Sequence, residues 1–306
     1  MRRSSTAPHI RTFSHHYRQR FGCAVGKIPV DMGQVCPNRS QGGCIFCRAA
    51  SYTPGYLKKE DEILEQLRLG KRHLLRGRFH KYFAYFQQES CTAVDEDLLL
   101  PILSLVLEDE DCVGLILSTR PDYIEAGFID LLAEKIVDSG KECLFELGLQ
   151  TVHERSLHLL NRNHSYLDFV HAARLIQAPG CFELGAHLIF GIPGESEEEM
   201  LESVRTVCSL QINALKLHHL QVIRETPLHT MYLQGEVGLF TLEEYLDFLM
   251  KVIVLIPEEV TIHRLWSTSH PDLLVGPRWN ILAGRLSALL KNKMLALGLS
   301  QGQQAV

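Results

Sequence analysis

The sequence lacks a hydrophobic run long enough to cross a membrane. A transmembrane helix needs roughly 18 or more consecutive apolar residues, whereas the nearest stretch, residues 248–256, is short and is interrupted by Lys251. The first twenty residues contain five arginines and no acid, and they lack the apolar core of a secretory signal. We therefore expect a cytoplasmic protein that makes no membrane contact.

The sequence also lacks an even set of cysteines and a strong excess of one charge. Nine cysteines spread over 306 residues argue against a disulfide framework and for a reducing compartment. A net charge of −5 makes the whole molecule no obvious polyanion binder. The local exception is a basic cluster without any acid, formed by Arg68, Lys71, Arg72, Arg76, Arg78 and Lys81. Such a cluster can contact nucleic-acid phosphates, and a solvated helix face followed by a basic loop is the alternative interpretation.

No GxGxxG turn follows the first predicted strand, which disfavours a nucleotide-binding doubly wound sheet. Short apolar runs instead alternate with longer amphipathic segments. The predicted strands are 27–30, 81–87, 112–118, 142–149, 182–190, 214–222 and 260–265. The predicted helices are 97–108, 124–139, 153–161, 167–177, 197–210, 242–256 and 279–297. This alternation predicts a parallel sheet with right-handed crossovers, and hence a full or partial barrel.

The chain is predicted to divide into three parts. Residues 1–20 are expected to form a basic, flexible arm, and residues 21–275 the barrel. Residues 276–306 are expected to form a C-terminal helix that packs on the barrel, followed by a tail.

Three cysteines lie on one short glycine-bearing loop: Cys36, Cys44 and Cys47 in CPNRSQGGCIFC. Three soft thiolates suit iron–sulfur or zinc ligation. No fourth ligand nearby completes a closed zinc site, which favours a cluster with one open iron. Because the loop follows the first predicted strand, it falls at the carboxyl end of the barrel, where active sites of such folds lie. The alternative is a non-catalytic zinc- or cluster-binding module that recognises nucleic acid or a partner protein and recruits Cys23 or a histidine as fourth ligand.

Two further features concern the predicted barrel mouth. His218 and His219 end the sixth predicted strand, where adjacent residues point to opposite sides, so only one of them is expected to face the mouth. The polar segment HRLWSTSHPDLL follows the last strand and is expected to cap the mouth.

Together these residues resemble the radical SAM superfamily, over roughly residues 20 to 280. The similar stretches are FGCAVGKIPVDMGQVCPNR, GGCIFC, YFQ, STRPD, ELGLQT, LNRNHS, FGIPGE and LQVIRETPL. The likeness is strongest to an uncharacterised bacterial family related to the radical SAM domain of elongator-type tRNA-modifying enzymes. It implies an α/β fold, a partial (βα)6 TIM-like barrel of the radical SAM type with short N- and C-terminal extensions.

The resemblance implies a radical SAM enzyme with one [4Fe-4S] cluster per chain and S-adenosyl-L-methionine as cofactor. In the superfamily, the amino and carboxylate groups of S-adenosylmethionine bind the open iron. An electron from the cluster cleaves the sulfonium and gives a 5′-deoxyadenosyl radical, which abstracts hydrogen from a substrate. A reducing electron donor such as flavodoxin or ferredoxin is also implied. The resemblance names no catalytic residue and leaves two kinds of substrate open: a tRNA base, or a small metabolite or peptide.

The resemblance also implies roles for individual residues. The three loop cysteines would ligate the cluster, and Phe46 would pack near the adenine. Gln88 and Glu89 occupy the neighbourhood of the cofactor's amino group. Gln150 and Arg162 would face the ribose and the carboxylate.

Gly191, Pro193 and Gly194 in FGIPGE would form the turn that packs on the adenine. Three positions depart from the family pattern. After YFQ the related family tends toward small hydroxyl residues, whereas Gln88 and Glu89 follow here. Seven residues separate the first two loop cysteines, where most of the superfamily has three, and longer gaps occur in the elongator-related branch. Asn163 stands where the related family usually has glycine, and asparagine also tolerates a left-handed backbone.

Overall fold

The fold is described from a computed structural model, which describes residues 10–58 and 62–305. Its centre is one sheet of seven parallel strands. These are β1 (Val25–Val30), β2 (Lys81–Phe86), β3 (Cys112–Thr119), β4 (Glu142–Gln150), β5 (Glu183–Phe190), β6 (Ala214–His219) and β8 (Thr261–Arg264). They are hydrogen-bonded in chain order, so successive right-handed crossovers curl the sheet into an open barrel. A separate antiparallel pair joins β7 (Val222–Ile223) to β9 (Leu274–Gly276).

Helices connect the strands and cover the outer face of the sheet. They are α1 (Phe13–Phe21), α2 (Ile63–Gly70), α3 (Glu96–Leu107), α4 (Ala126–Ser139), α5 (Glu154–Leu159), α6 (Tyr166–Gln177), α7 (Glu197–Cys208), α8 (Pro227–Leu233), α9 (Leu242–Leu255) and α10 (Ala283–Leu297). Capping boxes begin α6, α7 and α9: the side chains of Ser165, Ser196 and Thr241 each accept the backbone N–H three residues on. The acid at that later position accepts the cap residue's own N–H, so two otherwise unpaired donors are satisfied at each helix start.

The strands read as nearly continuous apolar runs because helices cover one face of the sheet and the barrel lumen buries the other. Every residue of β3 is buried, as are Tyr82 to Phe86 of β2. Leu115, Leu117 and the neighbouring strands pack with the inner faces of α3, α4, α6, α7 and α9 into one large core.

The α/β partial barrel predicted from the sequence is confirmed. Each of the seven predicted strands is present, with ends shifted by up to three residues, and the seventh, β8, extends the predicted six-stranded barrel by one parallel strand. The seven predicted helices are also present. Three helices lie outside the predictions: α1 before the first strand, α2 after the cysteine loop and α8 after β7.

The N-terminal segment differs from the expected flexible arm. Residues 1–9 lie outside the described residues, but α1 is a helix capped by Thr12 and ended by Gly22 in a left-handed conformation. Its Phe13 and Tyr17 lie one turn apart and are buried in a cluster with Phe83. Apolar burial at that spacing, rather than charge, decides the structure of this segment.

Helix α1 fills the gap between the first and last strands. The backbone carbonyl of Arg11 accepts the N–H of Ile262 at 2.7 Å, on the free edge of β8. The Phe13 ring lies 5.0 Å from the ring of His263. This packing covers an edge of the sheet that would otherwise expose unpaired backbone groups.

The C-terminal helix packs on the barrel's outer layer. Leu286, Leu290 and Met294 of α10 are buried at helical spacing and lie against the core that includes α9. Among the described residues, no helix is both long and apolar enough to traverse a lipid bilayer.

Candidate active site

The three loop cysteines meet at the carboxyl end of the sheet. Cys36 follows β1, a short 3₁₀ turn covers Pro37–Gln41, and Gly42 and Gly43 turn the chain with φ of 90° and 73°. The three cysteines line one cavity of about 230 Å³, which opens from the loop into the barrel lumen. Because glycine adopts positive φ without strain, Gly42 and Gly43 allow the seven-residue segment between Cys36 and Cys44 to turn back toward the first thiol.

Glu89 fixes this loop from the strand below. It follows β2 in a left-handed conformation with φ of 55°, and its side chain is buried. One oxygen accepts the backbone N–H of Cys36 at 3.1 Å, and both accept from the Arg39 guanidinium, the shortest contact being 2.9 Å. A two-oxygen guanidinium–carboxylate pair is strong and strongly oriented. Glu89 therefore holds the cysteine loop in place.

The sulfur of Cys44 is surrounded by donors. Asn38 Nδ2 donates to it at 3.3 Å and Arg162 Nη1 at 3.2 Å. The hydroxyl of Ser90 lies 3.6 Å from Cys36 Sγ. Amide, guanidinium and hydroxyl donors favour an anionic sulfur, which is the form that binds metal. These contacts fit an iron–sulfur cluster held by the three cysteines.

The thiol of Cys47, in contrast, is favoured in its protonated form. Burial, and then the nearby thiol of Cys44, raise its pKa to about 11. Such thiols stay protonated at neutral pH until a cation displaces the proton. Within the described residues, no three His, Cys, Asp or Glu side chains are grouped closely enough for a single metal ion.

Phe46, Gln150 and Arg162 line the same cavity as the cysteines. Gln150 ends β4 at a register irregularity with φ of 84°, which turns its side chain at the barrel mouth. Arg162 donates to the Gly148 carbonyl, to His164 Nε2 at 3.0 Å and to Cys44. A Cβ at Gly148 would lie 3.0 Å from Gln150 Nε2 and 3.2 Å from Arg162 Nη2, so this glycine makes room for both side chains.

Asn163, which follows Arg162, adopts the left-handed conformation expected from the family's glycine, with φ of 50°. Its side-chain amide donates to Asn38 Oδ1 at 2.7 Å. This contact ties the turn after α5 to the cysteine loop.

Four other residues of the predicted site lie outside the cavity lining. Gln88 is buried and accepts from Thr53 Oγ1 at 3.1 Å, while its neighbour Gln87 lines the cavity instead. The other three are Gly191, Pro193 and Gly194. Gly191 has φ of 89°, and a Cβ there would lie 3.1 Å from the Phe240 ring, so backbone shape and close packing account for this glycine.

The barrel lumen contains a buried polar network that the sequence analysis did not identify. Its centre is Glu146 of β4, whose side chain is 1% exposed. Five side chains from five other strands surround its two oxygens: Lys27 at 3.3 Å, Tyr85 at 2.8 Å, His187 at 3.0 Å, Lys216 at 3.0 Å and His263 at 2.9 Å. Lys216 Nζ also contacts the Tyr85 hydroxyl. The network forms the floor beneath the cysteine-lined cavity.

Charge in this network is set by burial and mutual contact. Burial alone would raise the pKa of Glu146, but the ammonium groups of Lys216 and Lys27 outweigh it and hold the pKa well below its usual value. Burial, partly opposed by Glu146, lowers the pKa of Lys216 to about 7. Burial, and then Lys216, lower the pKa of His187 to about 4, so that imidazole is neutral at physiological pH.

A sequence signal for the network exists in the strands themselves. Glu146 interrupts the apolar run of β4, and Lys216 and His218 interrupt β6 at alternate positions. Charged residues are almost never buried without partners, so an acid or lysine inside a strand buried on both faces indicates an internal network.

The expectations for the barrel mouth hold in part. Ser267, Thr268 and Ser269 of the polar segment after β8 line the cavity. The expectation that only one of His218 and His219 would reach the cavity was wrong, since both contribute to its lining. His219 also packs against Trp279, with ring centroids 4.1 Å apart.

Comparison with protein families agrees with this geometry. Residues 30–207 match the model described as the Radical SAM superfamily, and residues 212–295 match the Radical_SAM C-terminal domain. The chain is 30% identical to the uncharacterized protein YtqA of Bacillus subtilis (strain 168), over 98% of this chain and 94% of that protein.

Two further similarities cover only part of longer proteins. The chain is 28% identical to the tRNA uridine(34) acetyltransferase of Methanocaldococcus infernus, over 50% of this chain and 28% of that protein. The solved structure of Methanocaldococcus infernus Elp3 with an N-terminal deletion superposes with a TM-score of 0.67 at 20% identity, covering 91% of this chain and 64% of that one. The latter likeness concerns the fold.

Proposed function

The chain belongs to the radical SAM superfamily, and on this basis we propose that Cys36, Cys44 and Cys47 hold a [4Fe-4S] cluster that cleaves S-adenosylmethionine reductively. The product radical would abstract hydrogen from a substrate in the barrel lumen. The observation that carries this proposal is the convergence of three thiols on one cavity, with donors from Asn38 and Arg162 on the sulfur of Cys44. When bound, the cluster and S-adenosylmethionine supply the electron and the 5′-deoxyadenosyl radical.

The chain's own residues would bind and orient the cofactor. Arg162 offers an always-charged planar donor for the carboxylate. Gln150 offers an amide for the ribose, and Phe46 an aromatic face near the adenine. All three line the cavity beside the cysteines.

We assign Glu89 a different role from the amino-group contact that the resemblance implies. Both of its oxygens already accept hydrogen bonds from Arg39, and one also accepts from the Cys36 backbone. Glu89 is therefore proposed as a positioning residue for the cysteine loop. Gln87 and Ser90 of the same segment also line the cavity, and Gln87 is the amide that we propose for the cofactor.

The alternative with Cys23 as fourth ligand conflicts with its position. Cys23 precedes β1, whereas Cys36 follows it. A strand of six residues spans about 20 Å, so these two thiols lie at opposite ends of the sheet. Cys23→Ala is therefore the matched control for the cysteine loop.

The experiment is anaerobic reconstitution with iron and sulfide, followed by electron paramagnetic resonance of the reduced protein with and without S-adenosylmethionine. We expect a four-iron signal that changes when the cofactor is added, together with formation of 5′-deoxyadenosine. Cys36→Ala, Cys44→Ala and Cys47→Ala should each lose the cluster, and Cys23→Ala should retain it. An intact cluster with an indifferent signal and no 5′-deoxyadenosine would refute the proposal.

A tRNA base is the first candidate substrate, and its support is the similarity to a tRNA uridine(34) acetyltransferase. The basic cluster of residues 68–81 supports a tRNA substrate less strongly than its composition indicates, because some of its cations are paired with carboxylates. Arg68 pairs with Glu65 at 2.6 Å, and Lys71 pairs with Asp109 at 2.6 Å. Three arginines of the cluster remain exposed: Arg72, Arg76 and Arg78.

Retention of bulk tRNA at increasing salt tests this candidate. If the cluster contacts phosphates, replacing Arg72, Arg76 and Arg78 together by Gln should weaken binding and flatten its salt dependence. The matched control is Arg285→Gln, which removes one exposed arginine of α10 far along the chain. Binding that neither falls with salt nor responds to the triple substitution would favour a small metabolite or peptide.

A further inference from the structure

The cavity has a marked excess of basic side chains. Among the described residues that line it, one is acidic, Glu89, and six are basic: Arg39, Arg48, Arg120, Arg162, Lys216 and Arg264. Four of these six have a carboxylate partner: Arg39 with Glu89, Arg48 with Glu225, Arg120 with Asp122 and Lys216 with Glu146. Arg162 contacts Cys44 and the Gly148 carbonyl, and it is the group already proposed for the cofactor's carboxylate.

Arg264 is the exception. No hydrogen bond or ion pair joins its guanidinium to another side chain in residues 10–58 and 62–305. It ends β8 in register with Lys216 of β6, so the two side chains project from the same face of neighbouring strands into the lumen. An arginine cannot shed its charge by deprotonation. This guanidinium therefore faces the cavity as an uncompensated cation.

His218 supplies a second unpaired group at the same place. It lies two residues after Lys216 on the same face of β6, and its Nε2 is buried without a partner among the described residues. Burial, and then the charge of Arg264, hold the pKa of His218 well below its ordinary value, so the ring is neutral. His218 lies two residues beyond the register partner of Arg264 on the neighbouring strand, and both residues line the cavity.

The ring's hydrogen bonds decide which nitrogen carries the proton. The hydroxyl of Ser267 donates its proton to the His219 carbonyl at 2.6 Å. The same oxygen lies 3.4 Å from His218 Nδ1, so it accepts there and Nδ1 is the protonated nitrogen. In a neutral imidazole, Nε2 is then an acceptor. The site thus presents a cationic guanidinium, which donates hydrogen bonds, beside a neutral imidazole nitrogen that accepts one.

We infer that Arg264 and His218 form a substrate subsite for a small carboxylate or phosphate that carries a hydroxyl or amino group on a neighbouring atom. The guanidinium donates to the anionic group, and Nε2 of His218 accepts from the hydroxyl or amine. The inference rests on the proposed function, because the substrate must share this cavity with the cofactor. A substrate of this kind is a small metabolite, so the inference supports that alternative rather than the tRNA base named first above.

The subsite is separate from the groups proposed for the cofactor. Gln150 and Arg162 lie at and after the end of β4. His218 and Arg264 come from β6 and β8, which lie two and three places further along the sheet order. A probe bound at the subsite should therefore coexist with S-adenosylmethionine.

The test is ligand-observed saturation-transfer NMR on the anaerobically reconstituted protein saturated with S-adenosylmethionine. The probes are lactate, acetate, lactamide and methyl phosphate, each of which carries C–H protons that this experiment detects. We expect lactate to bind more tightly than acetate and lactamide not to bind. Binding of methyl phosphate alone would identify a phosphate ester as the source of the anion, and binding of lactate alone would identify a carboxylic acid.

Matched variants separate the two contacts. Arg264→Gln should weaken lactate binding by about ten- to a hundredfold, the loss expected for hydrogen bonds to a charged group. Arg264→Lys should restore part of it, which shows that charge rather than misfolding is responsible. His218→Leu should abolish the preference for lactate over acetate. Arg285→Gln is the control and should bind as the wild type does.

Failure of the inference is distinguishable from failure of the proposed function. If the wild type shows a cofactor-dependent cluster signal but binds no anionic probe, or if Arg264→Gln binds equally well, the subsite is refuted and the enzyme class stands. Displacement of S-adenosylmethionine by lactate would place these residues in the cofactor's own site and also refute the inference. A cluster signal indifferent to the cofactor would instead refute the proposed function.

Discussion

Glu146 and Lys216 form an ion pair at the centre of the barrel, with Nζ 3.0 Å from Oε2 and neither side chain more than 6% exposed. Removing one partner of such a buried pair leaves an uncompensated charge. Glu146→Gln should therefore lower the free energy of unfolding by about 3–5 kcal/mol, measured by urea denaturation.

The matched control for this substitution lies on the same strand. Glu142 pairs with Arg20, whose side chain is 46% exposed. Glu142→Gln should cost no more than about 1 kcal/mol, because exposed ion pairs contribute little. Equal losses for the two variants would show that the lumen network is not the stabilising element.

The pKa of Lys216 predicts a pH dependence of stability. In the folded protein the pKa is about 7, below the value of a free lysine side chain. Between those two values the unfolded chain binds a proton that the native state does not, so the free energy of unfolding rises with pH. The slope is at most about 1.4 kcal/mol per pH unit for one group. Between pH 7.5 and 8.5, urea denaturation should give a more positive slope for the wild type than for Lys216→Met, since other buried groups such as Lys27 and Cys91 titrate in both proteins; identical slopes would contradict the prediction.

Glu89→Gln should loosen the cysteine loop. The amide keeps one acceptor for the Cys36 N–H or for Arg39, but it loses the charged two-oxygen pair. Hydrogen bonds to charged groups are worth about 1.5–3 kcal/mol each. We expect a lower iron content per chain after reconstitution.

The control for Glu89→Gln is Glu65→Gln, which breaks the exposed pair with Arg68. It should bind iron as the wild type does. Full iron occupancy in Glu89→Gln would show that the loop is held without this carboxylate.

Gly148→Ala tests the close approach beneath Gln150 and Arg162. The added Cβ would lie 3.0 Å and 3.2 Å from their side-chain nitrogens and must displace them. Binding of S-adenosylmethionine, measured by anaerobic calorimetry, should weaken by tenfold or more. Gly284→Ala is the comparison: it meets no atom within 4 Å in α10, and it should leave cofactor binding unchanged while stabilising the helix by up to about 1 kcal/mol. Unchanged cofactor binding in Gly148→Ala would remove Gln150 and Arg162 from the cofactor site.

The alternation of strands and helices could be predicted because each strand of a parallel sheet buries both faces. β3 is the clearest case, since every residue from Cys112 to Thr119 is buried. Helix α1 could not be predicted from composition, because its basic residues obscure two aromatic side chains, Phe13 and Tyr17, that decide its packing.

The candidate site could be predicted where it depends on spacing along the chain, as it does for the cysteine loop. The lumen network, and the placement of Arg264 and His218 on adjacent strands, depend on which strands become neighbours. Glu146 meets Lys216 across 70 residues and Lys27 across 119. No local pattern specifies such a contact, although a charged residue within an apolar strand indicates that one exists.

The contacts at the amino end of the barrel have a consequence for how the chain folds during synthesis. The backbone N–H of Arg11 donates to the side chain of Gln301 at 2.8 Å, across 290 positions, and the Gln301 amide donates to the carbonyl of Val260 at 2.7 Å. Long-range contacts of this kind form late, after the loops between them have closed. On the ribosome, β1 and the cysteine loop emerge early, but the seal formed by α1 and the last strand waits for nearly the whole chain. The metal-binding end can therefore assemble while the opposite end is still open.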